Sequence, residues 1–335
     1  MLFKITTELR QYVNVSEGLQ FATIAPDITR TEKQILKKFL GSEQYDELET
    51  EYLTNIEDLT DMAAPLRELL NYARAAVALL TIGKAADILQ VQISDSGIQM
   101  VSGVEYKQAF AWMKHDAKSY LMQHGYAAID EMLAFMEANV DDYPLWAEST
   151  AYTLNKQFIV NSAVEFQQHY NINESRLTYF ALQSIMRRVE SFQVAPLIGA
   201  AFFAEIKAEI AANNLSNDNA ALMEWLAPAC ALYTMARGYN ELPLLLTDSG
   251  VVLNYTKAFQ GDNSKESQPV DANRLQTQQR VCTTDADTYM KLCLDYLRAN
   301  ASETKYPTFY ASTLKTASEN SPYKNETDNK IVGFF

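Results

Sequence analysis

The chain has 335 residues, of which 48% are hydrophobic and 21% are charged, a composition typical of globular rather than disordered proteins. Its formal net charge of −14 argues against binding nucleic acid by phosphate neutralisation and against binding an anionic membrane surface. The length allows two ordinary domains, and the low counts of Gly (11) and Pro (9) favour long helices over a β-sandwich.

The first residues and the cysteines indicate a cytoplasmic protein. The segment MLFKITTELRQY has no uninterrupted apolar region, so no signal peptide is expected. No stretch approaches the ~18 apolar residues of a membrane span. Cys230, Cys282 and Cys293 are too few and too far apart for a disulfide framework.

The sequence repeats itself. ILQVQISDSGIQM (88–100) aligns with ELPLLLTDSGVVL (241–253), an offset of 153 residues (250 − 97). Further pairs follow in the same order on both sides: Tyr72 with Trp225, Thr81 with Thr234, Arg30 with Arg188, Glu32 with Glu190, Gly41 with Gly199, Tyr143-Pro144 with Tyr306-Pro307. The sequence therefore predicts one structural unit used twice, in residues 1–155 and 156–335.

Taken in chain order, the first clear element of each unit is a helix. Apolar residues step by three and four along one face in Leu66, Leu69, Leu70, Ala73, Val77 and Leu80. Pro65 lies near the start of this helix, where proline is tolerated. The second copy repeats the pattern, so the predicted fold class is mainly α, a tandem helical bundle.

A β-hairpin is predicted to follow the helix in each copy. Apolar residues alternate with Gln on both sides of Ser94-Asp95-Ser96-Gly97. The repeat has Thr247, Asp248 and Gly250 at the matching positions. This composition suits a type I turn closed by a left-handed glycine in a three-residue connection, so Gly97 and Gly250 are expected to have positive φ.

Another helical stripe comes after the first hairpin. It consists of Phe110, Met113, Ala117, Tyr120 and Leu121. Gly125 is expected to end this helix or to separate it from the next apolar run, which begins at Ile129. Stripes of Met and aromatic residues at helical spacing most often belong to the core, and that is the expectation here.

Two polar segments distinguish the second copy. QGDNSKESQPVDAN (260–273) contains an insertion of eight residues relative to copy one and is expected to be a flexible loop. The stretch 316–335 is polar but ends in Gly333-Phe334-Phe335, and it is expected to be a mobile tail. Phe334 and Phe335 are candidate partner contacts, because a polar tail has no evident need for two aromatic residues.

No catalytic motif is present, and the expectation is a protein that is not an enzyme and has no cofactor and no metal. His115 and His124 are nine residues apart, not the four that place two ligands on one helical face, and His169 has no partner at a ligand spacing. Asp95-Ser96 and Asp248-Ser249 are better explained as turn residues than as nucleophiles. Nucleotide-binding glycine motifs are absent.

Three segments together resemble an uncharacterised family found in phages and prophages of gut bacteria. They are VQISDSGIQ (91–99) after a long Ala/Leu helix, the block FQQHYNINESRLTYFALQSIMRRVE (166–190), and APLIG (195–199). The resemblance covers most of the chain, and it implies a role in the virion or in virion assembly without catalytic residues to transfer. Helical bundles with a projecting hairpin are similar in outline to adaptors between portal and tail.

The functional expectation is therefore a structural protein of the head–tail connector or completion type. Its partners would be portal or tail components, or copies of itself in a ring, with no sequence-specific nucleic acid and no membrane. It would reside in the cytoplasm during assembly and then in the virion. Two alternatives stay open: a helical binding or regulatory module, and an enzyme whose site is assembled from residues far apart in sequence.

Overall fold

A computed structural model describes residues 1–94, 97–100, 110–242, 244–247, 250–253 and 272–315. The chain divides into two compact units, Met1–Leu154 and Asn155–Phe335. This division falls one residue before the boundary that the repeated sequence predicts.

The first unit is mainly helical. Its described α-helices are α1 (Thr6–Arg10), α2 (Phe21–Thr31), α3 (Lys37–Leu40), α4 (Ser42–Thr54), α5 (Ala64–Ala85), α6 (Ala111–Ala138), α7 (Pro144–Glu148) and α8 (Thr150–Thr153). A π-helical turn, Glu32–Leu36, joins α2 to α3. The long helices α5 and α6 pack along each other and carry much of the buried apolar surface.

The second unit repeats this order. Its described α-helices are α9 (Ala163–His169), α10 (Arg176–Val189), α11 (Ala195–Ile198), α12 (Ala200–Ala211), α13 (Asn217–Glu241), α14 (Ala272–Asn300) and α15 (Pro307–Tyr310). The π-helical turn Glu190–Val194 joins α10 to α11. Serine side chains at 162, 175 and 216 accept backbone hydrogen bonds and so begin α9, α10 and α13.

Short antiparallel strands follow α5 and α13. Strand β1 (Val91–Ser94) pairs with β2 (Gly97–Met100), and β3 (Leu244–Thr247) pairs with β4 (Gly250–Leu253). Ser94 lies opposite Gly97 and Thr247 opposite Gly250, so two residues connect the strands of each pair, not the three predicted. A two-residue connection makes each glycine the first residue of the second strand. The predicted positive φ at these glycines stays a prediction.

An aromatic stack occupies the same place in both units. The ring centroids of Tyr72 and Phe135 are 4.8 Å apart, and those of Trp225 and Tyr296 are 4.7 Å apart. Tyr72 aligns with Trp225 in the predicted repeat. Each stack joins the first long helix of its unit to the second, so the paired positions make equivalent contacts.

In each unit, a tyrosine hydroxyl near the end of the unit donates a hydrogen bond to a backbone carbonyl at the start of the first long helix. Tyr143 donates to the carbonyl oxygen of Pro65 at 2.9 Å, and Tyr306 donates to that of Asp218 at 2.6 Å. Pro65 and Asp218 are themselves 153 residues apart, the offset of the aligned long helices. The predicted internal duplication is confirmed down to these individual contacts.

Gly125 does not end a helix, as the sequence had suggested, because α6 continues without interruption from Ala111 to Ala138. A Cβ at Gly125 would lie 2.6 Å from Cγ of Leu80 and 3.1 Å from its backbone nitrogen. Glycine is therefore present for the close approach of α6 to α5, and its helix-ending tendency is overridden by this packing.

Each π-helical turn leads into a sharp corner at a glycine. Gly41 follows α3 with φ 79°, and Gly199 follows α11 with φ 90°. Residues with a Cβ rarely adopt such angles, so glycine is required where α3 turns into α4 and where α11 turns into α12. The aligned glycines of the repeat thus have one structural cause.

Candidate interaction surfaces

The first half of α6 exposes an apolar stripe that the sequence placed in the core. The exposed fractions are 66% for Phe110, 41% for Met113 and 55% for Tyr120. Ala117 and His124 are also exposed and continue the same helical face. We call these five residues the α6 seam. The expectation that this stripe is buried is wrong, because the buried positions of α6 begin only at Gly125.

The equivalent helix of the second unit carries different residues at the seam positions. Asn139 at the end of α6 aligns with Asn300 at the end of α14, an offset of 161 residues (300 − 139). Four seam positions are then occupied in α14 by Arg274, Gln278, Val281 and Asp285, all exposed. Among the described residues, the second unit therefore has a single apolar residue, Val281, at these four positions, where α6 has Met113, Ala117 and Tyr120.

The second unit contains two surface grooves among its described residues. One has a volume of about 510 Å³ and is lined by residues that include His169, Pro228, Asp285 and Tyr289. The other, of about 660 Å³, lies beside Tyr170 and Tyr239, whose hydroxyls are hydrogen-bonded to each other, at the start of α14. Both are open grooves rather than enclosed pockets of the kind that surround a small ligand.

A buried glutamate begins each π-helical turn. Glu32 accepts a hydrogen bond from the backbone nitrogen of Leu2 at 2.7 Å and from the hydroxyl of Tyr45 at 2.9 Å. Burial raises the pKa of Glu32, although these two hydrogen bonds act in the opposite direction. The carboxylate thereby ties the first residues of the unit to the turn.

Glu190 has the same position in the second unit. It accepts a hydrogen bond from the backbone nitrogen of Ile159 at 2.6 Å and contacts the ammonium group of Lys207. Burial raises the pKa of Glu190, and Lys207 opposes that shift. Because the shared partner in both units is a backbone nitrogen, these carboxylates serve to hold the chain together.

A second polar group differs between the units. Glu8 contacts the guanidinium group of buried Arg74 at 2.7 Å, and that group lies over the ring of Tyr52, 4.5 Å from its centroid. Glu165 aligns with Glu8 but has Ala227 at the position of Arg74. Its carboxylate accepts from the backbone nitrogen of Asn161 at 2.8 Å, and burial raises its pKa. The two copies thus share backbone anchoring but not an ion pair.

The three histidines lie in separate environments. His115 and His124 are exposed on α6, and the ring of His124 lies 4.1 Å from that of Tyr120. His169 lines the smaller groove, and burial lowers its pKa. Within the described residues, no three side chains of His, Cys, Asp or Glu converge as metal ligands would. The cysteines Cys230, Cys282 and Cys293 are buried and unpaired with one another.

The residues selected from the sequence are only partly described. Ser94, Gly97, Thr247 and Gly250 lie at the ends of the paired strands. Asp95 and Asp248 lie outside the described residues, as do Phe334 and Phe335 in the stretch 316–335. In the segment 260–273, Ala272 and Asn273 begin α14, and the rest is not described. The described helices include none long and apolar enough to cross a membrane.

The structure defines a tandem-duplicated helical bundle whose two copies share several internal contacts and differ in one buried ion pair and on the exposed face of one long helix. A family model matches residues 36–156 and again residues 194–318, one match in each unit. The chain belongs to this family, which is described as a family of unknown function (DUF6712). Neither the curated proteins nor the solved structures contain a match to this chain.

Proposed function

We propose that this chain is a non-enzymatic structural protein of a phage or prophage particle, acting by protein–protein contact at the head–tail connection. The observation that carries the proposal is the α6 seam, an exposed apolar face on one copy of a duplicated unit. Apolar patches of this kind on a folded surface mark protein interfaces more often than catalytic sites.

The duplication supports the same proposal. Two copies of one bundle have kept their aromatic stacks, tyrosine hydrogen bonds and glycine corners while the exposed face of α6 and α14 diverged. A fold whose internal packing is the same in both copies while its surface differs suits a protein that functions by binding other proteins. The family resemblance of the ISDSG and APLIG segments supplies the phage context of this proposal.

The finer elements of the proposal are the contact segments. We include the strand pairs that follow α5 and α13, because a two-stranded pair is marginal in water unless its apolar side is covered. We also include the segment 316–335 with Phe334 and Phe335. Portal or tail components, or further copies of the chain, are the proposed partners.

The test is deletion of the gene from an inducible prophage that carries it. We expect induced cells to accumulate DNA-containing heads without attached tails, visible by electron microscopy, and the chain to be found by mass spectrometry in purified wild-type particles. Expression of the chain in trans should restore tailed particles. Normal numbers of infective particles after deletion, or absence of the chain from purified particles, would contradict the proposal.

The matched variant for this experiment replaces seam residues without touching the core. Met113→Glu with Tyr120→Glu should reproduce the deletion phenotype, and Arg274→Glu with Val281→Glu at the equivalent positions of α14 should not. If neither pair has an effect while deletion does, the chain still acts in the particle but through a different surface.

A further inference from the structure

We propose that the first half of α6 pairs with α6 of a second copy of this chain, through the α6 seam, as a parallel two-helix contact. This deepens the proposed function, on which it rests: that proposal names further copies of the chain among several partners but does not say through which helix or in which orientation two copies meet.

The spacing of the seam is that of a coiled-coil interface. Its residues lie at positions 110, 113, 117, 120 and 124, so the steps are three, four, three and four. Alternation of three and four keeps apolar side chains on the line along which two helices pack at a small crossing angle. A helix that has this spacing is complementary to another copy of itself.

Among the described residues of its own unit, none buries the seam. The α6 residues that the unit does bury come after the exposed half: Gly125, Ala128, Ile129, Met132, Leu133 and Met136. The unit built around α14 has Arg274, Gln278 and Asp285 where α6 has Met113, Ala117 and His124. Val281 is the one apolar residue that α14 keeps, at the position of Tyr120. The second bundle therefore forms with a polar residue where α6 exposes Met113.

Charge does not oppose a second copy at this face. The net charge of −14 makes two copies repel each other in general. The exposed half of α6 contains Lys114 and Lys118 against Asp116 alone, and Lys118 forms an ion pair with Asp87 of its own chain. This is a surface where two copies can approach without bringing acidic groups together.

The flanking charges also select the orientation. Lys114 and Asp116 lie on opposite sides of the seam. In an antiparallel pair centred near position 115, the Lys114 side chains of the two copies would lie side by side, and so would the two Asp116 side chains. Both contacts bring like charges together, which is unfavourable. A parallel pair avoids these like-charge contacts and places Ala117 opposite the partner's Ala117, where a small residue lets the helices approach.

The expected contact is small. The stretch from Phe110, the residue before α6, to His124 rises by about 21 Å over fourteen steps of ~1.5 Å. An interface of one seam this long belongs to the weak, transient class, so we expect self-association at micromolar or higher concentration rather than an obligate dimer. In an assembled particle, the local concentration of neighbouring copies would strengthen it.

The experiment is disulfide trapping in the full-length chain. In Ala117→Cys, a parallel pair brings the two new sulfurs together at a Cα separation that a disulfide tolerates, ~5.5 Å. We expect mild oxidation to give a covalent dimer. Gln278→Cys, at the equivalent exposed position of α14, is the matched control and should give little dimer, as should the wild type with its three buried cysteines.

A second measurement keeps the proposal falsifiable if trapping is inefficient. Sedimentation of the wild type at about 1 to 200 µM should show dimerisation, which Met113→Glu with Tyr120→Glu should abolish and Arg274→Glu with Val281→Glu should leave unchanged. A wild type that stays monomeric, an unaffected dimer in the Met113/Tyr120 variant, or equal trapping of both cysteine variants would overturn the proposal. If the wild type does not dimerise but is still incorporated into particles, the self-association proposal is wrong and the proposed role in the particle is unaffected. The two proposals can therefore be tested separately.

Discussion

At the scale of single residues, Gly125 and Leu80 determine how closely α6 approaches α5. We predict that Gly125→Ala destabilises the protein by up to about 2 kcal/mol, because overpacking costs ~1–3 kcal/mol and alanine regains only ~1 kcal/mol over glycine in a helix. The added Cβ would lie 2.6 Å from Cγ of Leu80, which is not the flexible end of a side chain. Urea unfolding followed by circular dichroism measures the change.

Gly238→Ala is the control for this prediction. A Cβ at Gly238 in α13 would come closest to the terminal Cδ2 of Leu182, at 3.3 Å, which can move aside, and would lie at ordinary contact distances, 3.6 Å and 4.0 Å, from Leu242 and Ile185. We expect no loss of stability there, or a slight gain from helix propensity. Equal destabilisation by both substitutions would show that close approach at Leu80 is not the reason for Gly125.

Glu190 gives a prediction about pH. Burial raises its pKa in the folded state above the ordinary value of 4.5, so the folded protein binds this proton more readily than the unfolded chain does. The resulting stabilisation is fully present below about pH 4.5 and is lost as the pH rises through the folded-state pKa. Glu190→Gln cannot titrate. The stability of the wild type relative to this variant should therefore fall as the pH rises.

Urea unfolding from about pH 4 to pH 8 checks this sign, with Glu224→Gln on the exposed face of α13 as the control. The control reports how removal of one exposed carboxylate by itself changes stability over the same range. A wild type that gains stability over Glu190→Gln with rising pH would mean that Lys207, not burial, dominates the environment of this carboxylate.

Both buried glutamates were detectable in the sequence, although their role was not. The alignment paired Glu32 with Glu190 and Gly41 with Gly199, yet polar residues between apolar ones carry no sign that a helix widens into a π turn. The backbone nitrogens that they bind lie about 30 residues earlier, at Leu2 and Ile159. A long-range hydrogen bond of this kind leaves no periodicity to read.

At the scale of elements, the long helices were predictable and their exposed faces were not. The apolar steps of α5 and α13 located the buried faces, because most turns of these helices are covered. The same reasoning applied to Phe110, Met113 and Tyr120 found the helix but assigned it to the core. Periodicity reports that a helix has an apolar face and cannot say whether that face meets its own chain.

The segment 316–335 gives an element-scale prediction. We expect its deletion to weaken self-association or incorporation into particles, because Phe334 and Phe335 need an apolar surface to cover them. A polar segment that becomes ordered on binding loses conformational entropy, which lowers its affinity. A weak contact of this kind suits a late step of assembly. Light scattering and particle incorporation are the measurements, and Phe334→Ser with Phe335→Ser separates the aromatic residues from the rest of the segment. Unchanged behaviour in both variants would make the segment a passive end.

At the scale of the whole molecule, the duplication predicts that each unit is an independent folding unit. Residues 1–154 and 155–335 each lie within the usual size of a domain, ~100–200 residues, and the second unit has a continuous core from Phe158 to Phe309. We predict that each fragment, expressed alone, is helical by circular dichroism and unfolds cooperatively in urea. The two spectra should add up to that of the intact chain.

A fragment that ends within a unit is the control. Residues 1–109 keep α5 but lose α6, so Leu69, Leu80 and the ring of Tyr72 would lose the surface that covers them. The free energy of unfolding of a domain is only ~5–15 kcal/mol. The burial of apolar area that is lost with α6 contributes more than this to stability. The control should therefore aggregate or stay largely unfolded. If either full unit behaves like it, the copies fold only together, and the duplicated sequence describes one cooperative structure.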